Sequence, residues 1–449
     1  MGKPLGQLCD RQDPGGMTDN VGLIRLAGSA PPQQPATVHS TDEDVPMTPT
    51  ELRSSLSLSL VFAMRMLGLF LVLPVFALEA AGLPGGDDPA RVGLAMGVYG
   101  LTQGLLQIPF GMASDRFGRK PVIVFGLLVF ALGSLMAMSA TTLTELTLGR
   151  AIQGAGAISA AVTALLADQT RDEVRTKAMT LVGISIGFVF ALSLIIAPLL
   201  NTYIGLPGLF ALTGAMAMLG IVVVLKLTPP ESSGFEARQK GRLALVLRDA
   251  PLMRLNLGVF VLHAVQLAMW VAIPAMLVQA GLGKDDHWQV YLPTVVASFF
   301  VLRATLYPLE RRGYLRAVFL CSVGLIAAVQ LGLLWAGGQA PSLNLLAWLL
   351  FAFFCGFNIL ESCQPSMASR IAPLHARGTA LGVFNTLQSL GFFAGGALGG
   401  WLVRTQGAQA VFATCAALMA LWLAVAWPMR APARRATGKP SPTQGSAAR

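Results

Sequence analysis

From Leu52 onward the chain is a succession of apolar runs separated by short polar turns. A helix needs about 20 apolar residues to cross a bilayer at about 1.5 Å per residue. Twelve runs meet that length, at 54–78, 92–113, 120–140, 143–166, 178–200, 205–226, 255–280, 289–308, 316–336, 343–365, 378–402 and 408–428. A chain built this way has one economical solution, an all-α membrane protein of twelve transmembrane helices. Composition agrees: charged residues make up 12% of the chain, against about 25% in soluble domains. The formal net charge of +10 would suggest nucleic acid in a soluble protein. Here the basic residues sit in short loops, where they set orientation instead, and no nucleic-acid partner is expected.

The order of these runs divides the chain. Residues 1–51 are rich in Pro, Gly, Gln, Asp and Thr and read as a disordered extension. They lack the layout of a signal peptide, and Met1, Met17 or Met47 could each be the start. Residues 52–226 form a first six-helix half and 255–428 a second. The polar, basic stretch 227–254 joins them, and 429–449 is a basic, disordered tail. Cys9 lies in the extension, and Cys321, Cys355, Cys363 and Cys415 fall in apolar runs with no metal or redox spacing. The four histidines form no ligand pair, so no metal and no cofactor is expected.

Lys and Arg fix the expected orientation. With the N-terminus inside, seventeen fall in cytoplasmic connections and only Arg91, Lys284 and Arg404 in outer ones. Both termini are therefore expected in the cytoplasm. The two halves also repeat each other. Asp115-Arg116-Phe117-Gly118 matches Glu310-Arg311-Arg312-Gly313, and Arg175-Thr-Lys-Ala178 matches Arg377-Gly-Thr-Ala380. Parallel halves related about the membrane normal, with a site at their interface, are a transporter design.

The turn Gly111-Met-Ala-Ser-Asp115-Arg116-Phe-Gly118-Arg119-Lys120 lies between the second and third runs. It resembles the signature loop of the major facilitator superfamily of secondary transporters. Gly111 offers a close helix approach, and Asp115 can face a helix N-terminus. Arg119 is placed to pair with a carboxylate, best with Asp168 at the end of the fourth run. The resemblance implies that Gly111, Asp115, Arg116, Gly118, Arg119 and Asp168 form a conformational latch of the outward-facing state. It also implies the fold: two pseudo-symmetric six-helix halves that rock to give alternating access.

Three further motifs resemble those of bacterial drug:proton antiporters within that superfamily. The fourth run holds Arg150-Ala-Ile-Gln153-Gly154-Ala-Gly156-Ala157. A lone Arg in hydrocarbon costs at least about 2.5 kcal/mol, so Arg150 needs an amide, carbonyl or acid partner, or must snorkel outward. The resemblance gives it a part in proton coupling. The fifth run carries Gly183, Gly187 and Ala191, a smooth face suited to tight packing. It ends in Ala197-Pro198, where the family has Gly-Pro, and Pro198 should kink it. The first run holds Arg65 through Pro74, with Arg65 near mid-membrane.

The remaining polar groups suggest a site. Glu361 is the carboxylate well inside a helix of the second half. Apolar walls favour its protonated form and a nearby cation its charged form. We expect Glu361 to face Arg65 or Arg303 and to couple protons, with Arg150, Arg65 and His263 as its associates. Glu79 and Glu145, at outer helix ends, are weaker candidates. Tyr99, Gln103 and Gln107 recur at steps of four on the second run. With Gln153, Phe188, Gln266, Trp270, Phe357, Asn358, Asn385 and Gln388 they would line a substrate cavity. Each of these also has a plainer role as a packed or ion-paired bundle residue.

The functional expectation is a proton-coupled efflux carrier for small amphiphilic compounds, a monomer in a bacterial inner membrane with small molecule and proton as partners. A carrier or symporter for one polar metabolite would need a more charged cavity. A sensor or scaffold that lost transport would not need intact Gly111, Asp115, Arg119, Asp168 and Arg150. Nothing in the chain suggests a nucleophile–base pair, metal cluster or phosphate loop, so no enzyme is expected.

Overall fold

The computed structural model describes residues 46–231, 243–338, 341–373 and 376–429. Most of the predicted N-terminal extension and nearly all of the basic tail lie outside the described residues, as does the middle of the predicted joint between the halves. Every predicted span is helical. In chain order the helices are α1 (Pro49–Phe70), α2 (Leu73–Ala81), α3 (Pro89–Phe117), α4 (Arg119–Met138), α5 (Leu143–Ala155), α6 (Ser159–Asp168) and α7 (Asp172–Val222). After the joint come α8 (Leu243–Arg248), α9 (Ala250–Gln279), α10 (Trp288–Arg311), α11 (Leu315–Gly337), α12 (Leu343–Ile371), α13 (Arg377–Gln406) and α14 (Ala408–Ala426).

Nine helical stretches among the described residues are long and apolar enough to cross a membrane. One of them, Lys177–Leu227, is 51 residues long and holds two passes. The glycine- and amide-rich α3 and α13 complete the twelve. The structure corrects the predicted break in the long stretch. Pro198 lies inside α7 without ending it, and the chain turns at Gly205, whose φ of 63° and ψ of −180° are not helical. That backbone is open to glycine and strained for other residues.

Two other passes are broken where the sequence analysis drew them straight. α1 and α2 separate at Leu71 and Val72, just ahead of Pro74. A proline lacks the N–H for a helical bond and its ring crowds the carbonyl four residues back. α5 and α6 separate at Gly156, whose φ of −72° and ψ of 55° close a tight turn. A Cβ there would lie 2.4 Å from the carbonyl oxygen of Gly126 on α4. The break thus follows from a backbone contact that only glycine permits.

The halves meet mainly along α3 and α13. A Cβ on Gly93 would stand 2.2 Å from the Gly396 carbonyl oxygen, and one on Gly400 2.4 Å from that of Pro89. Gly97 and Gly100 approach Phe393 and Ser389 in the same way. These contacts occupy the first half of α3, away from the basic turn at Gly118. Two ion pairs join the halves at that same end, Lys284 to Glu79 at 2.9 Å and Arg404 to Asp88 at 3.0 Å. Toward the basic end Leu105, Ile108 and Met112 of α3 are exposed. The molecule is closed at the end opposite the basic turns and splayed at the basic end.

Candidate functional site

At the basic end, α3 stops at Phe117 and α4 starts at Arg119, with Gly118 between them at φ 96°. Only a glycine takes that turn without strain. Its counterpart in the repeat, Gly313 between α10 and α11, has φ 89°. Arg119 ion-pairs with Asp115 one turn back and with Asp168 of α6 at 3.1 Å. It also donates to the Ser114 hydroxyl at 2.7 Å. Three passes are thereby tied at one guanidinium. The second half has a pair that the sequence analysis did not name: Arg370 of α12 to Glu310 of α10 at 2.8 Å. Its signal was present, since Glu310 occupies the repeat position of Asp115.

Two expectations for this turn change. The N-terminus of α4 is faced not by Asp115 but by Glu231, which accepts from the backbone N–H of Arg119 and of Lys120. Gly111 is not a forced approach either, because a Cβ there would meet Ala160 at an ordinary 3.5 Å.

Deeper in the first half two guanidiniums are 1% exposed. Arg150 donates to Gln153 Oε1 at 2.7 Å, and Gln153 Nε2 donates to the Ser134 hydroxyl at 2.9 Å. Its other faces meet rings, with Cζ 4.9 Å from the Tyr99 centroid and 5.8 Å from that of Phe76. Arg150 is therefore held inside and does not snorkel. Arg65 also approaches the same tyrosine, 6.0 Å from its centroid. It donates to Gln103 Oε1 at 3.0 Å and to the Ser159 hydroxyl at 3.3 Å. The α5–α6 break places Ser159 at the start of α6, where its hydroxyl reaches Arg65. Gln103 then donates across the interface to the Ser389 hydroxyl of α13 at 3.0 Å.

In the second half Glu361 faces neither Arg65 nor Arg303. Arg65 is engaged with Gln103 and Ser159, and Arg303 is exposed on α10. The neighbour of Glu361 is His263 of α9, with Oε2 at 3.3 Å from Nε2. His263 Nδ1 lies 2.8 Å from the Val259 carbonyl oxygen. A carbonyl only accepts, so Nδ1 carries a proton and Nε2 is the variable atom. Gln388 Nε2 sits 2.8 Å from that nitrogen and 3.3 Å from Glu361 Oε1. With neutral His263 the amide donates to Nε2. With protonated His263, Nε2–H donates to Glu361 and the amide must turn over. The imidazole is 2% exposed and the carboxylate 31%, so the pair is reached from the carboxylate side.

Aromatic rings close around this group. Phe357 and Phe392 pack edge-on to His263 at 6.0 and 4.8 Å. Phe190 of α7 meets Phe357 across the interface at 5.5 Å. Phe188, two residues earlier, is 65% exposed and is not part of this cluster. Asn358 donates to Ser298 of α10 at 2.8 Å. Trp270 packs against Tyr291 at 5.3 Å. Gln107 and Gln266 are buried with amides that find no hydrogen-bond partner among the described residues. Asn385 accepts from Ser389 through its carbonyl at 2.9 Å.

The sequence model of this transporter family, the Major Facilitator Superfamily, matches residues 55–396 and 307–448. The chain belongs to the major facilitator superfamily. It is similar to the inner membrane transport protein YajR of Escherichia coli strain K12, 41% identical over 393 residues, covering 87% of this chain and 86% of that protein. It is 29% identical over 353 residues to the multidrug resistance protein MdtH of Aeromonas salmonicida, covering 76% and 86%. Among solved structures it resembles a D-xylose-proton symporter, with a TM-score of 0.66 and 16% identity over 83% of this chain and 97% of that one. A nucleoside transporter gives the same TM-score at 13% identity, over 83% and 99%. These two likenesses concern the fold.

As a major facilitator the protein is a multi-pass membrane transporter of small molecules, not an enzyme. Within that frame the smooth face of α7 needs correction. Among the described residues a Cβ on Gly183 or Gly187 would meet nothing within 4 Å, so none of them packs closely on that face in this conformation.

Proposed function

We propose that this major facilitator protein exchanges protons for small amphiphilic compounds and expels them from the cytoplasm of a bacterium across its inner membrane, both termini being cytoplasmic. The observation that carries the reading is the Glu361–His263–Gln388 group. A half-exposed carboxylate, a buried imidazole with one committed nitrogen, and a reversible amide form a site with two proton arrangements. Each arrangement demands a different orientation of Gln388, and Gln388 adjoins Ser389, the residue bonded to Gln103 and through it to Arg65. Proton arrival in the second half can therefore be felt by the first. Arg150, fixed by Gln153 and Tyr99, supplies a constant positive charge in the first half.

The buried aromatic and amide side chains of the bundle core, including Phe190, Phe357, Gln107 and Gln266, would, if they border the substrate path, favour an apolar ligand with few polar groups. The similarity to multidrug resistance proteins supports the same direction. A carrier for one polar metabolite is the second reading, favoured by the two buried guanidiniums, which pair with no carboxylate among the described residues. The latch formed by Asp115, Arg119 and Asp168 belongs to the proposal: it keeps the basic end of the first half rigid while the halves rock.

The test uses purified protein in weakly buffered detergent, challenged with a panel of amphiphilic cations, neutral compounds and polar metabolites. Proton release on addition of amphiphilic compounds, absent in Glu361→Gln, is the expected result. Release only with polar metabolites would move the conclusion to the second reading. Binding without release in the native protein would remove antiport.

A further inference from the structure

A cavity of about 410 Å³ opens beside the signature turn, lined by Thr50, Arg53, Lys120, Lys226, Thr228 and Pro230 among others. It is separate from the transport site. Three helical elements supply its cations: Arg53 from α1, Lys120 from α4, and Lys226 from the π-helical turn Val223–Leu227 that ends the sixth pass. A π turn is rare and often marks a functional position. Here Arg53 takes up the carbonyls of Leu227 and Lys226, at 2.8 and 3.3 Å. Lys120 Nζ donates to the Thr228 carbonyl at 2.7 Å.

The cations are held in place by neutral groups. Arg53, Lys120 and Lys226 make no ion pair among the described residues. The adjacent carboxylate, Glu231, spends its oxygens on the backbone of Arg119 and Lys120. Glu231 offsets one of the three charges, which leaves a net positive opening where an anion placed between the cations is favoured.

The pocket continues into an apolar face. Leu56 and Leu60 stand one and two turns along α1 from Arg53, on its side of the helix, and are 51% and 41% exposed. Val222 and Leu219 stand likewise from Lys226, at 53% and 44%. A basic cup at the end of transmembrane helices, with exposed leucines running from it toward the membrane interior, matches one chemistry: an anionic phosphate ester carrying acyl chains. Basic pockets between helices at this depth bind such headgroups.

We propose that this cavity binds the headgroup phosphate of an anionic phospholipid, its chains lying along α1 and the sixth pass. The bound lipid would tie α1, α4 and the start of the joint between the halves together, next to the latch.

The experiment is native mass spectrometry of the full-length protein released from bilayers containing phosphatidylglycerol and phosphatidylethanolamine with identical acyl chains. Native protein should retain phosphatidylglycerol preferentially. Lys226→Gln, which breaks no hydrogen bond, should lower that retention about fivefold, and Lys226→Arg should restore it. Arg248→Gln, a cation on α8 outside the pocket, should change nothing. Arg53→Gln should act like Lys226→Gln if the protein remains folded by size-exclusion and melting profile. Equal retention of both lipids, or an equal loss in Arg248→Gln, would overturn the site as a specific one. If millimolar inorganic phosphate alone displaced the retained lipid, the site would be one for a soluble anion and the lipid proposal would fall.

Discussion

At the residue scale, the charges inside this protein are arranged by what they lack. Among the described residues Arg65 and Arg150 pair with no carboxylate and are held by amides, a hydroxyl and one shared tyrosine ring. Removing a buried acceptor leaves a guanidinium unsatisfied, at a cost of about 1–3 kcal/mol or more. Gln153→Leu should therefore lower the thermal stability of the detergent-solubilised protein by that amount, while Gln153→Glu should retain it. A melting curve for each variant decides. Glu361→Gln should eliminate transport driven by a pH gradient in proteoliposomes and spare exchange of labelled for unlabelled substrate. Persistence of gradient-driven uptake would relocate the coupling group. The sequence made both residues visible, because an ionisable group in an apolar run has to be accounted for. It gave their depth but not their direction. Arg65 and Glu361 lie at similar depth in different halves, so they looked like partners, whereas His263, on a helix of the same half, is the neighbour.

At the element scale, the helices are interrupted where one backbone approaches another, and such approaches are invisible in a single chain of letters. Pro74 carried a signal for the α1–α2 break, although the span was drawn straight. The α5–α6 break depends on Gly126 of a different helix, so the glycines of the fourth pass read only as a motif. The twelve spans were legible because hydrophobic length is a local property. The packing of Gly183 and Gly187 was misjudged because a smooth face says that something can approach, not that it does in a given conformation. The turn at Gly118 yields a sharper expectation. Asp115→Asn leaves Arg119 with Asp168 and Ser114, so folded yield should change little while transport falls. Normal flux in vesicles with normal expression would strip the turn of its role as a latch. In α3, Gly93→Leu would push a side chain into the backbone of α13. Spin labels at Asp87 and Gln406 should then move apart in a pulsed-EPR distance measurement, and an unchanged distance would show that the approach is dispensable.

At the scale of the whole molecule, closure opposite the basic end rests on α3 against α13 and on two ion pairs. Lys284 and Arg404 are more than half exposed, so each pair contributes about 1 kcal/mol at most. Glu79→Gln together with Asp88→Asn should therefore shift the ratio of conformations by at most about thirtyfold, and raised salt should mimic the change in the native protein. The same pulsed-EPR pair reads both. A complete collapse of the closed population would mean that the ion pairs, not the helix contact, hold it. The repeat of Asp115 and Glu310 told of two equivalent halves. It could not tell which end was shut, since the same residues serve both conformations.

The seam between α3 and α13 has one more implication. Interlocked side chains act as teeth, and sliding past them requires rotamers to change in concert. Gly93, Gly97, Gly396 and Gly400 present bare backbone to backbone, so the two helices touch like polished shafts. Movement along such a bearing meets little friction, and the speed of the transport cycle would then be governed by the few polar bonds that must be broken elsewhere.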